Sequence, residues 1–257
     1  MTFPKIDSQA ETQKIVSFIK ETTRREGFSK VVVACSGGID SSLTLTLAAK
    51  AIGCDNVLAL KLPLANQSVV LANLAISFAE IAPENIFEIN IKGPVEKIVK
   101  NTPSKNKKTR IRQGNIAVRT RMIYLYDLAK AKHALVCGTS NRSEHLLGYF
   151  TRYGDEAADL APLLYLYKTQ VISLANYLEI PQQIIEAVPS AGMWKGQTDE
   201  DELGFSYAEA DLILHLFCDK EMKKAQIIKK GFNRKLVEKV IKRVKENKFK
   251  HRVPYSL

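Results

Sequence analysis

Residues 31–50 constrain this chain more than any other stretch. Val31-Val32-Val33-Ala34 is an apolar run of buried-strand type, and Leu43-Thr44-Leu45-Thr46-Leu47-Ala48-Ala49-Lys50 reads as the first turns of a helix. Between them lies Cys35-Ser36-Gly37-Gly38-Ile39-Asp40-Ser41-Ser42. A strand that passes through a Gly/Ser turn into a helix directs free backbone N–H groups, and the positive end of the helix dipole, at one point. Such a point is an anion cradle. Gly37 and Gly38 let the backbone approach the anion because no Cβ intervenes. Ser36, Ser41 and Ser42 add hydroxyl donors, and Asp40 adds a hard oxygen ligand suited to Mg²⁺. The same residues could also make a plain tight turn with Asp40 as a helix cap; three serines around two glycines argue for the cradle.

The segment fits neither Gly-x-x-x-x-Gly-Lys-Ser/Thr nor Gly-x-Gly-x-x-Gly. It resembles the Ser-Gly-Gly-x-Asp-Ser loop of the N-type ATP pyrophosphatases, which bind ATP and release pyrophosphate.

The chain has 257 residues, enough for a substantial core in one α/β domain or one domain plus an extension. A hydrophobic content of 46% fits a soluble globular protein. No long uncharged apolar run offers a membrane span, and Lys5, Asp7, Ser8 and Gln9 are unlike a signal peptide. Cys35, Cys54, Cys137 and Cys218 show neither paired metal spacing nor the density of a disulfide scaffold, which points to a reducing cytoplasm. Cys35 beside the turn invites a nucleophilic reading, but a thiol at a strand end is better explained by buried packing. The formal net charge of +11 suits any polyanionic ligand, nucleic acid included. Basic residues concentrate at 105–112 and 223–252; the first reads as a solvated loop and the second as helices with solvated lysines.

Periodicity orders the elements. Residues 11–26 form an amphipathic helix through Ile15, Phe18 and Ile19. Strands are predicted at 31–35, 56–62, 86–91 and 133–137, and helices at 67–81, 93–100 and 115–130, with a polar loop at 102–113. Strands separated by helices imply right-handed βαβ units and a parallel sheet. After Gly138 the strand signal fades: 168–179, 181–187 and 206–247 read as helical, and 188–204 as a long loop. That loop carries Gly192, Gly196 and Gln197-Thr198-Asp199-Glu200-Asp201-Glu202, with almost nothing apolar to bury, so a mobile lid is expected there. The predicted fold is α/β, a doubly wound, Rossmann-like parallel sheet with a helical C-terminal extension. Its nucleotide-binding core spans about 28–190 and the extension about 205–257, with ligands at the carboxyl ends of the strands.

Two further clusters follow the fourth strand: Gly138-Thr139-Ser140-Asn141-Arg142-Ser143-Glu144, and Gly148-Tyr149-Phe150-Thr151-Arg152-Tyr153-Gly154-Asp155 leading to Ala158-Asp159-Leu160-Ala161-Pro162-Leu163. With Arg119-Thr120-Arg121-Met122 upstream and Lys168 downstream, this order resembles the ammonia-dependent NAD synthetases, from the opening helix through Val253-Pro254. The resemblance implies a ligase for the last step of NAD⁺ biosynthesis. ATP adenylates the nicotinate carboxylate of deamido-NAD⁺, pyrophosphate leaves, and ammonia attacks the acyl-adenylate to release AMP. It places Ala34, Cys35, Ser36, Gly37, Gly38, Ile39, Asp40 and Ser41, with Thr139, Lys168 and Ser190, around ATP. It puts Asp40 and Glu144 on Mg²⁺, sets Arg119, Arg152, Asp159 and Lys250 on deamido-NAD⁺, and makes Asp40, Lys168 and Asp155 catalytic. It further implies a cytoplasmic homodimer fed by ammonia, with no membrane or nucleic-acid partner; a glutamine-hydrolysing version would need a further amidase domain. The chain departs from the family pattern at Ser190 (often Thr), at Arg152 (also Lys), and at Phe249, which replaces half of a basic pair with Lys250. Glu156-Ala157 and Gly192-Met193-Trp194 also replace a Gly-Gly and an Asp-Leu.

The residue types fit this chemistry independently. A carboxylate attacking the α-phosphorus needs no enzyme nucleophile, only positioning and neutralised phosphate charge. Plainer roles stand beside the functional ones: Glu144 as an exposed helix carboxylate, Asp159 as a cap or turn residue, and His133 and His145 as packing residues without a second ligand at metal spacing. Arg119 and Arg121 lie two apart on a helix, so only one is expected to reach the site. The alternative activity is a tRNA-modifying ATP pyrophosphatase, favoured by basic charge but lacking a Cys-x-x-Cys pair and a recognisable RNA-binding appendage. A nucleotide-binding regulatory module without catalysis would not need Asp40, Glu144 and Lys168 together.

Overall fold

Val31, Val32 and Val33 have no exposed surface, because the strand they form is covered on both faces. In the computed structural model, which describes residues 3–103, 110–190, 196–251 and 255, that strand is β1 (Lys30–Ala34). It pairs in parallel with β2 (Val57–Lys61) on one side and β4 (Ala134–Val136) on the other. β2 pairs in parallel with β3 (Ile86–Glu88), giving the order β3-β2-β1-β4. The chain therefore runs outward from β1 to β3 and returns to the other side of β1. That reversal creates a switch point between β1 and β4, and a crevice at their carboxyl ends.

Alternation sorts the strand side chains. Val31, Val33, Val57, Ala59 and Leu135 pack on one face against α1 (Ser8–Arg25), α2 (Ile39–Ile52), α3 (Val70–Phe78), α7 (Lys168–Tyr177) and α8 (Gln182–Ile185). Val32, Leu58, Leu60, Ala134 and Val136 pack on the other against α4 (Lys92–Asn101) and α5 (Arg110–Lys132). A third core joins α6 (Arg142–Leu147) to α9 (Asp199–Leu203), α10 (Tyr207–Leu214), α11 (Lys224–Lys229) and α12 (Arg234–Asn247), through Leu147, Leu203, Ile213, Leu214, Val237 and Val240. The doubly wound α/β fold with a helical C-terminal extension is thus present. Among the described residues no helix is long and apolar enough to cross a membrane.

Several boundaries move from their predicted places, for physical reasons. β3 ends at Glu88, not 91; Ile89 and Ile91 still donate to Lys61 O and Pro63 O at 3.0 Å, but outside a regular ladder. α5 begins at Arg110 inside the predicted loop, because Arg and Gln favour helix without supplying an apolar period. Strand pairing also extends past Gly138: Cys137 bridges Leu160 in parallel, and Gly138 N donates to Leu160 O at 2.8 Å. Most consequentially, the acidic end of the predicted 188–204 loop is α9, capped by Thr198, with Gln197, Asp199 and Leu203 buried. The predicted loop is thus helical at its acidic end, and what is buried within 197–202 is polar, Gln197 and Asp199; residues 191–195, including Gly192, Met193 and Trp194, lie outside the described residues.

His145 on α6 meets the C-terminal segment, its ring 4.2 Å from that of His251 and 6.0 Å from Phe150. Burial, then the charges of His251 and Arg142, push its pKa from 6.5 down to about 4. The folded chain keeps this imidazole neutral while the unfolded chain takes up a proton, so its stabilisation is present above pH 6.5 and lost as pH falls toward 4. Urea midpoints at pH 7 and pH 5 should therefore converge in His145→Phe relative to the wild type; an unchanged gap would reject the assignment.

Candidate active site

The turn after β1 is shaped by its glycines and tied by its serines. Gly37 has φ +84°, and a Cβ there would lie 2.6 Å from Ala72 N and 2.8 Å from Leu71 Cβ. Only glycine fits that approach to α3. Gly38 caps α2 in an extended conformation; Ser41 Oγ and Ser42 Oγ each donate to Gly38 O at 2.9 Å, and Gly38 N donates to Ser36 Oγ at 3.2 Å. Ala34 closes the strand and Ile39 is buried at the head of α2. Cys35 is buried, and burial pushes its thiol up to about 12. It packs and does not attack.

Facing this turn, Lys168 projects from the first turn of α7 and is buried. Its ammonium bonds to Asp40 Oδ2 and stands 3.8 Å from Glu144 Oε1. Burial opposes the ammonium charge, but Asp40 and Glu144 outweigh it and hold the pKa above the usual lysine value. Glu144 is not an exposed helix carboxylate. It closes a capping box with Asn141 at the head of α6, and burial, then the Asp40 charge, raise its pKa to about 8. Asn141 Nδ2 in turn donates to Asp40 Oδ1 at 2.9 Å. Two carboxylates with oxygen donors alone suit Mg²⁺, which is held through one or two carboxylates plus phosphate oxygens; among the described residues no larger His, Cys, Asp or Glu group is arranged for a metal.

Asp199 joins this cluster. Its Oδ2 accepts from Tyr207 OH at 3.1 Å, and its buried Oδ1 has no hydrogen-bond partner among the described residues. The Lys168 ammonium lies 5.5 Å from the Tyr207 ring centre. Sequence reading gave Asp199 and Tyr207 no role, because the acidic run was read as part of a lid with almost nothing apolar to bury and Tyr207 as part of a helical stretch. The available signal was Thr198 three residues before Asp201, a cap pattern like Asn141 before Glu144.

The second group lies around the turn at 148–155. Arg119 Nε donates to Arg152 O at 3.2 Å, and the Arg152 guanidinium lies 5.5 Å from the Tyr153 ring centre and 5.7 Å from that of Phe249. Lys250 Nζ donates to Gly148 O at 2.7 Å and to Phe150 O at 2.9 Å. Asp155 Oδ1 accepts from Thr151 N at 2.7 Å, and Arg121 and Lys250 are the cations facing it. Arg121 also bonds to Leu62 O at 3.0 Å, beyond the carboxyl end of β2, while Arg119 reaches the 148–155 turn, so the two point to different partners as residues two apart on a helix do. Asp159 ties the turn to the sheet, its Oδ2 accepting from Val136 N at 2.7 Å. Thr139 lies in the bend after β4, and Ser190 is exposed at the end of a described stretch.

These features define a class: an α/β protein whose switch point carries an anion cradle beside a buried lysine and two carboxylates. The chain matches the family model for NAD synthase over residues 11–254. It is 44% identical over 251 residues to the NH₃-dependent NAD⁺ synthetase of Thermococcus kodakarensis, covering 97% of each. Among solved structures, the NMN synthetase from Francisella tularensis superposes with a TM-score of 0.84 at 32% identity, covering 98% of this chain and 99% of that one. The NH₃-dependent NAD synthetase from Campylobacter jejuni, in complex with the nitrate ion, gives 0.82 at 31% identity over 98% and 100%. The chain belongs to the NAD synthase family.

The cradle geometry is directly testable. Gly37→Ala should destabilise the protein by about 1–3 kcal/mol through backbone strain and the clash with α3. Gly38→Ala, whose Cβ would meet nothing closer than Ser36 Oγ at 3.4 Å, should melt close to the wild type. Equal thermal shifts for the two would show that the crowding does not matter.

Proposed function

We propose that the protein is an ammonia-dependent NAD⁺ synthetase. The observation that carries this reading is the Lys168 ammonium, buried between Asp40 and Glu144 beside the glycine-serine turn. Phosphates of ATP sit on the N–H groups of residues 36–41, and Lys168 neutralises them. Thr139 and Ser190 contribute further ATP contacts. Asp40 and Glu144 hold Mg²⁺, which when bound screens phosphate charge against an incoming carboxylate. Arg119, Arg152, Lys250 and Asp159 hold deamido-NAD⁺, and Asp155 is a catalytic carboxylate.

The nicotinate carboxylate oxygen bonds to the α-phosphorus as the bond to pyrophosphate breaks. Ammonia then bonds to the acyl carbon, the bond from that carbon to the AMP oxygen breaks, and the nitrogen loses a proton to water, leaving the amide. The protein supplies placement and charge, with no covalent intermediate of its own. The enzyme works in the cytoplasm as a homodimer. The similarity to the Francisella NMN synthetase favours a second reading of the substrate, in which the acid is the mononucleotide and the chemistry is unchanged.

Incubation with ATP, Mg²⁺, ammonium and either the dinucleotide or the mononucleotide acid separates the two readings by product mass. NAD⁺, AMP and pyrophosphate in equal amounts from the dinucleotide are expected. Faster amidation of the mononucleotide would transfer the substrate assignment, and pyrophosphate released only with tRNA would overturn the function. Asp40→Asn should lower turnover at least 100-fold while the fold persists, because the amide keeps the shape and an acceptor for Asn141, and Glu144 still faces Lys168, but the charge suited to a metal is lost. Near-normal turnover in that variant would remove Asp40 from the metal.

A further inference from the structure

Glu144 and Lys168 sit in the first turns of α6 and α7, 24 positions apart in the chain. A carboxylate from the C-terminal extension joins these two helix heads. Asp211, on α10, has no exposed surface. Its Oδ1 accepts from Ser143 Oγ at 2.5 Å, and its Oδ2 accepts from both Thr169 N and Thr169 Oγ1 at 2.9 Å. Ser143 Oγ also accepts from Lys168 N at 2.8 Å. Ser143 precedes Glu144 and Thr169 follows Lys168, so one buried side chain touches the immediate neighbour of each.

A second carboxylate repeats the grip one residue upstream. Asp219 bonds to Arg142, accepts from Tyr167 OH at 2.8 Å, and meets His215 Nδ1 at 2.9 Å. Residues 142–143 and 167–169 are thus held by Asp211 and Asp219 from one helical segment. Between them the backbone forms a π turn, His215–Asp219. On an uninterrupted α-helix, residues eight apart diverge by roughly 80° around the axis. The wider π turn reduces that divergence and lets both carboxylates face the same side, a use of π turns that recurs at functional sites.

We propose that Asp211 is a positioning residue for the reaction, setting the relation of Lys168 to Glu144 and Asp40, with Asp219 steadying the same two segments. The proposal rests on the reading of those three residues as the phosphate and metal site. An ionised carboxylate can accept all three bonds at once; an amide in its place keeps one acceptor and presents N–H to a partner that now donates. Asp211→Asn therefore loosens the register without emptying the space.

The test compares full-length wild type with Asp211→Asn, Asp211→Ala and Asp219→Asn. Folded, ligand-competent sites are counted by calorimetric ATP titration, and kcat and KM are measured per competent site. Asp211→Asn should lose about 10- to 100-fold in kcat, since misplacement on the ångström scale costs that much, while KM for the acid substrate changes less than threefold. Asp219→Asn should lose less. A merely structural Asp211 would lower the number of competent sites and leave kcat per site unchanged, which would overturn the proposal. If Asp211→Ala fails to fold, Asp211→Asn and Ser143→Ala carry the comparison. Should the wild type amidate neither acid, the proposed function falls, and the clamp is read from ATP affinity alone: a loss of about tenfold in Asp211→Asn sustains it, and unchanged affinity overturns it.

Discussion

The ammonium of Lys168 is buried, and a buried charge left without its partner costs about 3–5 kcal/mol, so the placement of Asp40 and Glu144 is bound to it. Those three residues come from the heads of α2, α6 and α7, and each helix head also presents its positive dipole end toward the same space. The carboxylates answer both the lysine and the dipoles. Glu144 remains the strained member, its acidity weakened by burial and by Asp40, so a second cation arriving beside it meets a site already short of positive charge. The same electrostatics that organise the free protein thus favour a ligand carrying both phosphate and metal.

The sheet explains why these heads converge. Because β1 lies between β2 and β4, the turns leaving β1 and β4 open side by side, and α2 and α6 begin within reach of one another. α7 arrives from the 148–167 stretch, which is anchored by the Cys137–Leu160 bridge and by Asp159 on the β4 backbone. The helical extension then closes over α6 and α7 through a core of its own. The relative placement of the heads of α6 and α7 thus involves packing between the α/β unit and a purely helical one.

What could be read from the sequence was what local pattern encodes. The valine run, the glycine-serine turn and the alternation of strands with helices are short-range signals, and the fold class follows from them. The shape of the turn was equally legible, because glycine at φ +84° and serines around a helix head are local chemistry. The pairing of Lys168 with Asp40 spans 128 positions and has no local signature; the resemblance placed each residue near ATP but did not predict the ion pair between them. Asp199 was hidden for a different reason. Its helix has five residues and one buried aliphatic side chain, Leu203, so no period announces it, and its burial is supplied by Tyr207 and the extension's core. Arg110 to Gln113 escaped because helix propensity without amphipathic pattern is a weak signal against a basic, polar background.

Cys35 and Cys137 directly follow the two strands that flank the switch point, and burial pushes both thiols up to about 12. The thiolate is the form that oxidants and alkylating agents attack, and burial disfavours it in both. Two sulfur atoms therefore sit beside the turn as buried packing groups, filling the space where the sheet meets α2 and the 138–160 stretch.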